Sequence, residues 1–357
     1  MKIGVIGCGY WGPNLIRNFN AIPECEMVVC ADLKEENRLR MKRLYPGVRV
    51  TADHTEIVAD PTITAIAVAT PAYLHHPLAQ ACLQAGKHVL VEKPLATSVD
   101  ECKNLITLAR KSRKILMVGH TFEYSPAVKK AKEILASGEL GDVLYARTAR
   151  LNLGLFQPDI NVIWDLAPHD ISILLYLLGK ECLAVNGQGR AHYFEGIEDV
   201  ATATLHFKDG NFATIETSWL DPYKIRSMTL VGTKKMLVYD DIHPNEKIKI
   251  FDKGVDAPRH YDNYGEFQFA YRYGDISSPR IEDGEPVRIE CEHFLECIRE
   301  NRTPRSDGES GLRVVSILEA ICESMRQNGS LVKLRDAAQP KNGRGRNGFG
   351  RKVAASP

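Results

Sequence analysis

The sequence predicts an α/β domain with a doubly wound parallel sheet, followed by an α+β domain with an open, mainly antiparallel sheet. Three observations carry this fold class. A strand, a glycine turn and a helix open the chain; short continuous apolar runs then alternate with amphipathic segments to about residue 120; longer runs of alternating polarity take over from residue 143. Strands covered by helices on both faces read as continuous apolar runs, whereas strands with one wet face alternate. At 357 residues the chain is long enough for both units to bury a core. The expected division is 1–121, 122–334 and a disordered basic tail at 335–357.

In the first unit the apolar runs fall at 2–7, 27–31, 48–51 (the weakest), 65–69, 88–91 and 115–119, with helical patterns at 14–21, 34–45, 77–85 and 99–111. Strand and helix in regular alternation is the pattern of a parallel sheet. A helix over 126–137 ends at Gly138 and Gly141, and alternating runs follow at 143–153, 200–207, 212–219, 227–231, 235–239 and 247–251. Turn signals such as Lys208-Asp209-Gly210-Asn211 separate them. One helix over 168–178 interrupts the series, and helices over 290–300 and 311–327 close it. Past Leu334 the chain is basic and poor in apolar residues, a composition that does not fold.

Composition excludes several classes. Hydrophobic residues at 44% and charged residues at 25% are ordinary for a globular protein, and a net charge of +1 gives no support to a nucleic-acid or membrane-surface partner. No stretch has the roughly 18 uncharged apolar residues that a bilayer crossing needs, and the first strand begins without an apolar leader. A cytoplasmic location is expected. The nine cysteines form no C-x-x-C pair and are odd in number, so they read as reduced, buried residues and no metal site is expected.

Gly7-Cys8-Gly9-Tyr10-Trp11-Gly12 lies between the first strand and the first helix, the context in which G-x-G-x-x-G binds a dinucleotide. Gly7 permits the turn, Gly9 lets backbone N–H groups approach a pyrophosphate, and Gly12 lets helix and sheet pack closely. Asp32 ends the second strand, where a carboxylate accepts both adenine-ribose hydroxyls and repels a 2′-phosphate. NAD is therefore expected rather than NADP, on a Rossmann-type domain.

Three further clusters fall where ligands bind, at the carboxyl ends of parallel strands or at a helix start. Thr70-Pro71 with His75 follows the fourth strand, and Glu92-Lys93-Pro94 follows the fifth. Trp164-Asp165-Leu166-Ala167-Pro168-His169 opens the helix of the second unit, with Asp165 as its candidate N-cap and Pro168 at an early helical position. At four residues' spacing the Asp165 carboxylate can orient the His169 imidazole. Each cluster also has a purely structural reading, as a turn or a helix start. Arg150, Asn152, Asn161, Trp164 and Tyr239 are candidate substrate contacts, each with an equally good packing reading.

Together these motifs, in this order, resemble the Gfo/Idh/MocA family, that of glucose-fructose oxidoreductase and inositol 2-dehydrogenase, over roughly residues 1–334. The resemblance implies that Lys93, Asp165 and His169 sit at the hydride-transfer site. It also implies that the glycine turn holds the pyrophosphate, that Asp32 binds the adenine ribose, and that Thr70, Pro71, His75 and Glu92 lie along the cofactor. Around Asn161 to Asp165 the chain is similar to members that act on nucleotide sugars. Residues 118–124, Val-Gly-His-Thr-Phe-Glu-Tyr, depart from the Gly-Phe-Asn and basic residues of many members, so no substrate contact is carried over there.

The expected chemistry is hydride transfer between NAD and a secondary alcohol or ketone of a sugar, nucleotide sugar or cyclitol. His169 would take the hydroxyl proton, Lys93 would stabilise the developing alkoxide, and Asp165 would orient the histidine and balance the lysine. Two alternatives remain open at this point: a keto-sugar or imine reductase or NAD-dependent glycosidase of the same family, and a non-catalytic dinucleotide-binding sensor. The open sheet, and the family's use of it, imply a homodimer or homotetramer.

Overall fold

The computed structural model of the protein describes residues 1–256 and 270–334, and the basic tail at 335–357 lies outside the described residues. Strands β1 (Lys2–Ile6), β2 (Met27–Ala31), β3 (Arg49–Thr51), β4 (Ala65–Val68), β5 (His88–Glu92) and β6 (Leu116–Gly119) form one parallel sheet in the order β3-β2-β1-β4-β5-β6. The apolar runs that signal them are buried throughout β4 and β6. The order reverses between β1 and β4, which register Ile3 on Ala65 and Ile6 on Val68. That reversal opens the crevice in which doubly wound sheets bind ligands, and the glycine turn leaves β1 into it.

Helices α1 (Gly12–Ala21), α2 (Glu35–Leu44), α3 (His54–Ala59), α4 (His75–Gln84) and α5 (Val99–Ser112) belong to this unit. A short 3-10 turn (Thr121–Tyr124) and α6 (Pro126–Ala136) lead into the second sheet. Its strands are β7 (Val143–Leu153), β8 (Cys182–Arg190), β9 (Val200–Phe207), β10 (Phe212–Ser218), β11 (Leu220–Gly232), β12 (Met236–Asp240), β13 (Ile248–Asp256), β14 (Ala270–Ser277) and β15 (Val332–Lys333), with α7 (Val162–Leu178), α8 (Pro286–Glu300) and α9 (Gly308–Arg326) as its helical companions. Among the described residues the order is β14-β13-β12-β11-β7-β10-β9-β8-β15. The pairing is antiparallel except between β7 and β10.

Two helices tie the units together. Helix α8 buries Val287, Cys291 and Phe294 in the same core as Leu15 and Leu90 of the first unit. Helix α9 turns Leu312 and Val315 toward the first sheet and Val314, Leu318 and Ile321 toward the second. The structure corrects the expected start of α7: the helix begins six residues before Pro168, capped by Asn161, whose side-chain oxygen accepts the Trp164 N–H at 3.1 Å. Asp165 is thus a first-turn acid, not the cap, and Pro168 lies inside the helix. No helix among the described residues is long and apolar enough to cross a membrane.

Candidate active site

The glycine turn is shaped as its spacing requires. Gly7 has φ +97°, and a Cβ there would lie 2.4 Å from the Ala69 carbonyl oxygen; a Cβ on Gly12 would lie 2.0 Å from that of Gly7. Nothing lies within 4 Å of where a Gly9 Cβ would be, so this backbone faces open space. Helix α1 has no side-chain cap at its N-terminus, which leaves first-turn N–H groups for an anion. Asp32 fixes the turn from the next strand: its two carboxylate oxygens accept the Cys8 N–H at 2.7 Å and the Lys34 N–H at 2.8 Å. Arg40, which the motif does not include, donates to the Cys8 and Gly9 carbonyls at 2.6 Å each.

Three buried polar atoms at this edge make no hydrogen bond of good geometry: Thr70 Oγ1, Trp11 Nε1 and Glu92 Oε1, with the Trp11 indole near the Glu92 carboxyl. A turn open above Gly9, an uncapped helix and buried polar atoms short of hydrogen bonds together fit a dinucleotide. Tyr10 is exposed and Pro71 borders the cleft described below. His75 is placed differently from the cofactor groups. It is buried, with Nδ1 at 2.7 Å from the Pro94 carbonyl and Nε2 at 2.8 Å from the Thr70 carbonyl, so both ring nitrogens are committed to the main chain. It ties the loop after β4 to Lys93-Pro94, whose peptide bond is cis.

Lys93 reaches across to the second unit. Its Nζ donates to the Asp165 main-chain carbonyl at 2.8 Å and lies 3.5 Å from Asp165 Oδ1. That carbonyl lies four residues before His169 on α7, so the lysine contacts the turn that leads to the imidazole. Burial pushes the His169 pKa well down, and the charges of Lys93 and Arg150 push it further. The ring is neutral at physiological pH. Its Nδ1 is enclosed without a partner, leaving Nε2 as the available nitrogen.

The expected orientation of His169 by Asp165 is not what the structure shows. Asp165 Oδ2 accepts the Trp219 indole N–H at 3.1 Å and Oδ1 faces Lys93; no hydrogen bond joins it to His169. On a helix, four residues bring two Cβ atoms near one another, but these two side chains diverge to different neighbours. Phe122 holds the imidazole instead, edge-on at 4.9 Å between ring centroids, with the Arg150 guanidinium 4.8 Å from the Phe122 ring.

The candidate substrate contacts mostly have other duties. Arg150 forms a buried ion pair with Asp170, at 3.0 Å through Nη2. Asn161 caps α7, and Tyr239 is buried with its hydroxyl on Asp241 at 2.9 Å. Trp164 does border a cleft of about 480 Å³, with Pro71, Tyr73, Lys93, Pro94 and Asp159. The cleft brings Lys93 together with the loop after β7, the volume and placement of a small-molecule site.

Sequence reasoning missed two ionisable neighbours. His120 follows Gly119, which registers on Glu92, so it stands beside Lys93 across the β5–β6 pair. It is buried with both ring nitrogens unpartnered, and burial and the Lys93 charge lower its pKa to about 3. Glu290 on α8 is buried and accepts the Thr121 hydroxyl at 2.9 Å.

Two family models match the chain. One, described as an oxidoreductase family with an NAD-binding Rossmann fold, matches residues 1–120; the other, the GFO/IDH/MocA C-terminal domain, matches residues 128–238. Myo-inositol 2-dehydrogenase of Thermotoga maritima is 25% identical over 347 residues, covering 94% of this chain and 99% of the relative. UDP-N-acetylglucosamine 3-dehydrogenase of Acidithiobacillus ferrooxidans is 27% identical over 319 residues, covering 88% and 94%. A solved structure of levoglucosan dehydrogenase with NADH and levoglucosan superposes with a TM-score of 0.80 at 23% identity, covering 94% of this chain and 100% of that one.

Proposed function

This chain belongs to the Gfo/Idh/MocA oxidoreductase family, and we propose that it uses NAD to oxidise a secondary hydroxyl of a sugar, nucleotide sugar or cyclitol, or to reduce the matching ketone. One observation carries the assignment of roles: the Lys93 amine rests on the turn of α7 that leads to His169. In this reading the glycine turn and the α1 N-terminus hold the pyrophosphate, and Asp32 the adenine ribose. Thr70, Pro71, Trp11 and Glu92 line the nicotinamide end, and the bound nicotinamide supplies the hydride acceptor.

His169 takes the proton of the reacting hydroxyl through Nε2. A neutral imidazole is the form this requires, and its burial and cationic neighbours favour that form. Lys93 stabilises the negative charge that develops on the same oxygen. The Asp165 carboxylate, held by Trp219, balances the lysine, while the Asp165 main-chain carbonyl keeps the amine on the helix. In the opposite direction His169 returns the proton to the carbonyl oxygen.

The finer reading includes nucleotide sugars as substrates, a cytoplasmic location and self-association. The nine cysteines, all buried, support the location, and the exposed Tyr145 and Phe212, stacked at 5.7 Å on the second sheet, support a homodimer or homotetramer. The test is a panel of sugars, cyclitols and nucleotide sugars screened for NADH absorbance. Appearance of NADH with one of them supports net dehydrogenation; bond cleavage with no net NADH would point to the glycosidase chemistry instead.

A further inference from the structure

Three successive peptides of the glycine turn are divided between two side chains that follow it in the fold. The Cys8 N–H goes to the Asp32 carboxylate at 2.7 Å. The carbonyls of Cys8 and Gly9 both go to one nitrogen of Arg40, Nη2, at 2.6 Å each. Arg40 stands within α2, one residue before Met41, which is buried in the core of the first unit and anchors that stretch of helix. Its Nε is buried with no hydrogen-bond partner, and its hydrogen bonds among the described residues go to main-chain oxygens, none to a carboxylate. A guanidinium keeps its charge in such a place.

In a trans peptide the C=O and the N–H that follows it point in opposite directions. With the Cys8 and Gly9 carbonyls turned to Arg40, the N–H groups of Gly9 and Tyr10 face the other way. Neither N–H has a hydrogen-bond partner among the described residues, and the surroundings of a Gly9 Cβ position are open. Gly9 has no side chain to restrict rotation of the peptides on either side of it. Without a cation behind them these peptides are free to turn their carbonyls toward an approaching diphosphate, whose oxygens a carbonyl oxygen repels.

We infer that Arg40 is a positioning residue for the dinucleotide: by holding the Cys8 and Gly9 carbonyls it aims two N–H groups at the pyrophosphate. Its charge, behind the turn, favours the same anion. This rests on the reading above that the glycine turn holds the pyrophosphate. The six residues of the motif include no cation, and Arg40 supplies one from outside it.

The role predicts a selective effect. Adenosine offers its ribose to Asp32 and carries no phosphate, whereas ADP-ribose carries the pyrophosphate without the nicotinamide. The test is calorimetric titration with ADP-ribose and with adenosine, and fluorescence titration with NADH, of the whole protein and its Arg40→Met and Arg43→Met variants. Arg43 is exposed on the same helix, so its replacement makes the same change in net charge away from the turn. Arg40→Met should bind ADP-ribose and NADH about 10- to 100-fold more weakly, the range for losing a charged hydrogen-bond donor, and bind adenosine as the unaltered protein does. Arg43→Met should match the unaltered protein with all three. Equal losses for ADP-ribose and adenosine, as a general loosening of the fold would give, no loss in Arg40→Met, or as large a loss in Arg43→Met overturns the inference. Where Arg40→Met does not fold, Arg40→Gln, which keeps a donor without the charge, is read by the same comparison. An unaltered protein that binds ADP-ribose no better than adenosine would instead overturn the placing of the pyrophosphate on the turn.

Discussion

Lys93, at the end of β5, donates its Nζ hydrogen bond to the main-chain carbonyl of Asp165 in α7 at 2.8 Å. A carbonyl cannot be removed by mutation, so the lysine keeps its place against the second unit whatever the residue at 165. The ion pair to Oδ1, at 3.5 Å with both side chains about one-quarter exposed, adds modestly. Asp165→Asn should therefore lower turnover less than Lys93→Ala does, a comparison that steady-state kinetics makes directly.

Removing the amine or the imidazole should be severe. Lys93→Ala and His169→Ala should each lower turnover by about 100-fold or more while NAD binding changes little, since general acid–base groups contribute roughly 100- to 10,000-fold. Turnover and NADH titration of the same preparations separate the two effects.

Asp32→Ala should weaken NAD binding and relax discrimination against NADP. It also removes the acceptor of the Cys8 and Lys34 N–H groups, so a loss of stability of about 1–3 kcal/mol accompanies it. Cofactor titration and denaturant unfolding measure the two parts. Preference for NADP in the unaltered protein would contradict the ribose assignment.

Breaking the Arg150–Asp170 pair should cost more than any surface change. Both side chains are about 5% exposed, and Asp170→Asn leaves the guanidinium without its counter-charge in the core beside Phe122. Destabilisation of about 3–5 kcal/mol is expected, readable as a shift of the denaturant midpoint.

His120 makes stability depend on acid. Its pKa in the fold, about 3, lies below the ordinary 6.5, so the unfolded chain takes up the proton first as pH falls. Relative to His120→Asn, the unaltered protein should lose up to about 1.4 kcal/mol for each pH unit below 6.5 until the folded pKa is reached. A pH-independent difference between the two proteins contradicts this.

What was legible in the sequence was local. Continuous apolar runs marked the parallel strands because burial on both faces leaves no room for polar residues, and Gly12 marks a contact within one turn, its Cβ position lying on the Gly7 carbonyl. The rest depended on partners far along the chain: Arg40 reaches Cys8 over 32 residues, and Trp219 reaches Asp165 over 54. Strand β8 was not among the expected runs, and it carries two glycines, Gly187 and Gly189. They are glycine because α9 packs directly on them: a Cβ would meet Ile321 at 3.0 Å and Met325 Sδ at 2.7 Å. Asn161 and Asp165 are both good caps by type, and Pro168 drew the expected start toward the wrong one.

The most direct measurement of the central claim is a double-mutant cycle on Lys93→Ala and His169→Ala, using NADH formation with the substrate that the panel identifies. Two groups that act on one oxygen work as a unit, so the double variant should be little slower than the worse single variant. Losses that multiply, or either single variant turning over at the unaltered rate, would contradict the convergence of amine and imidazole at one reacting atom.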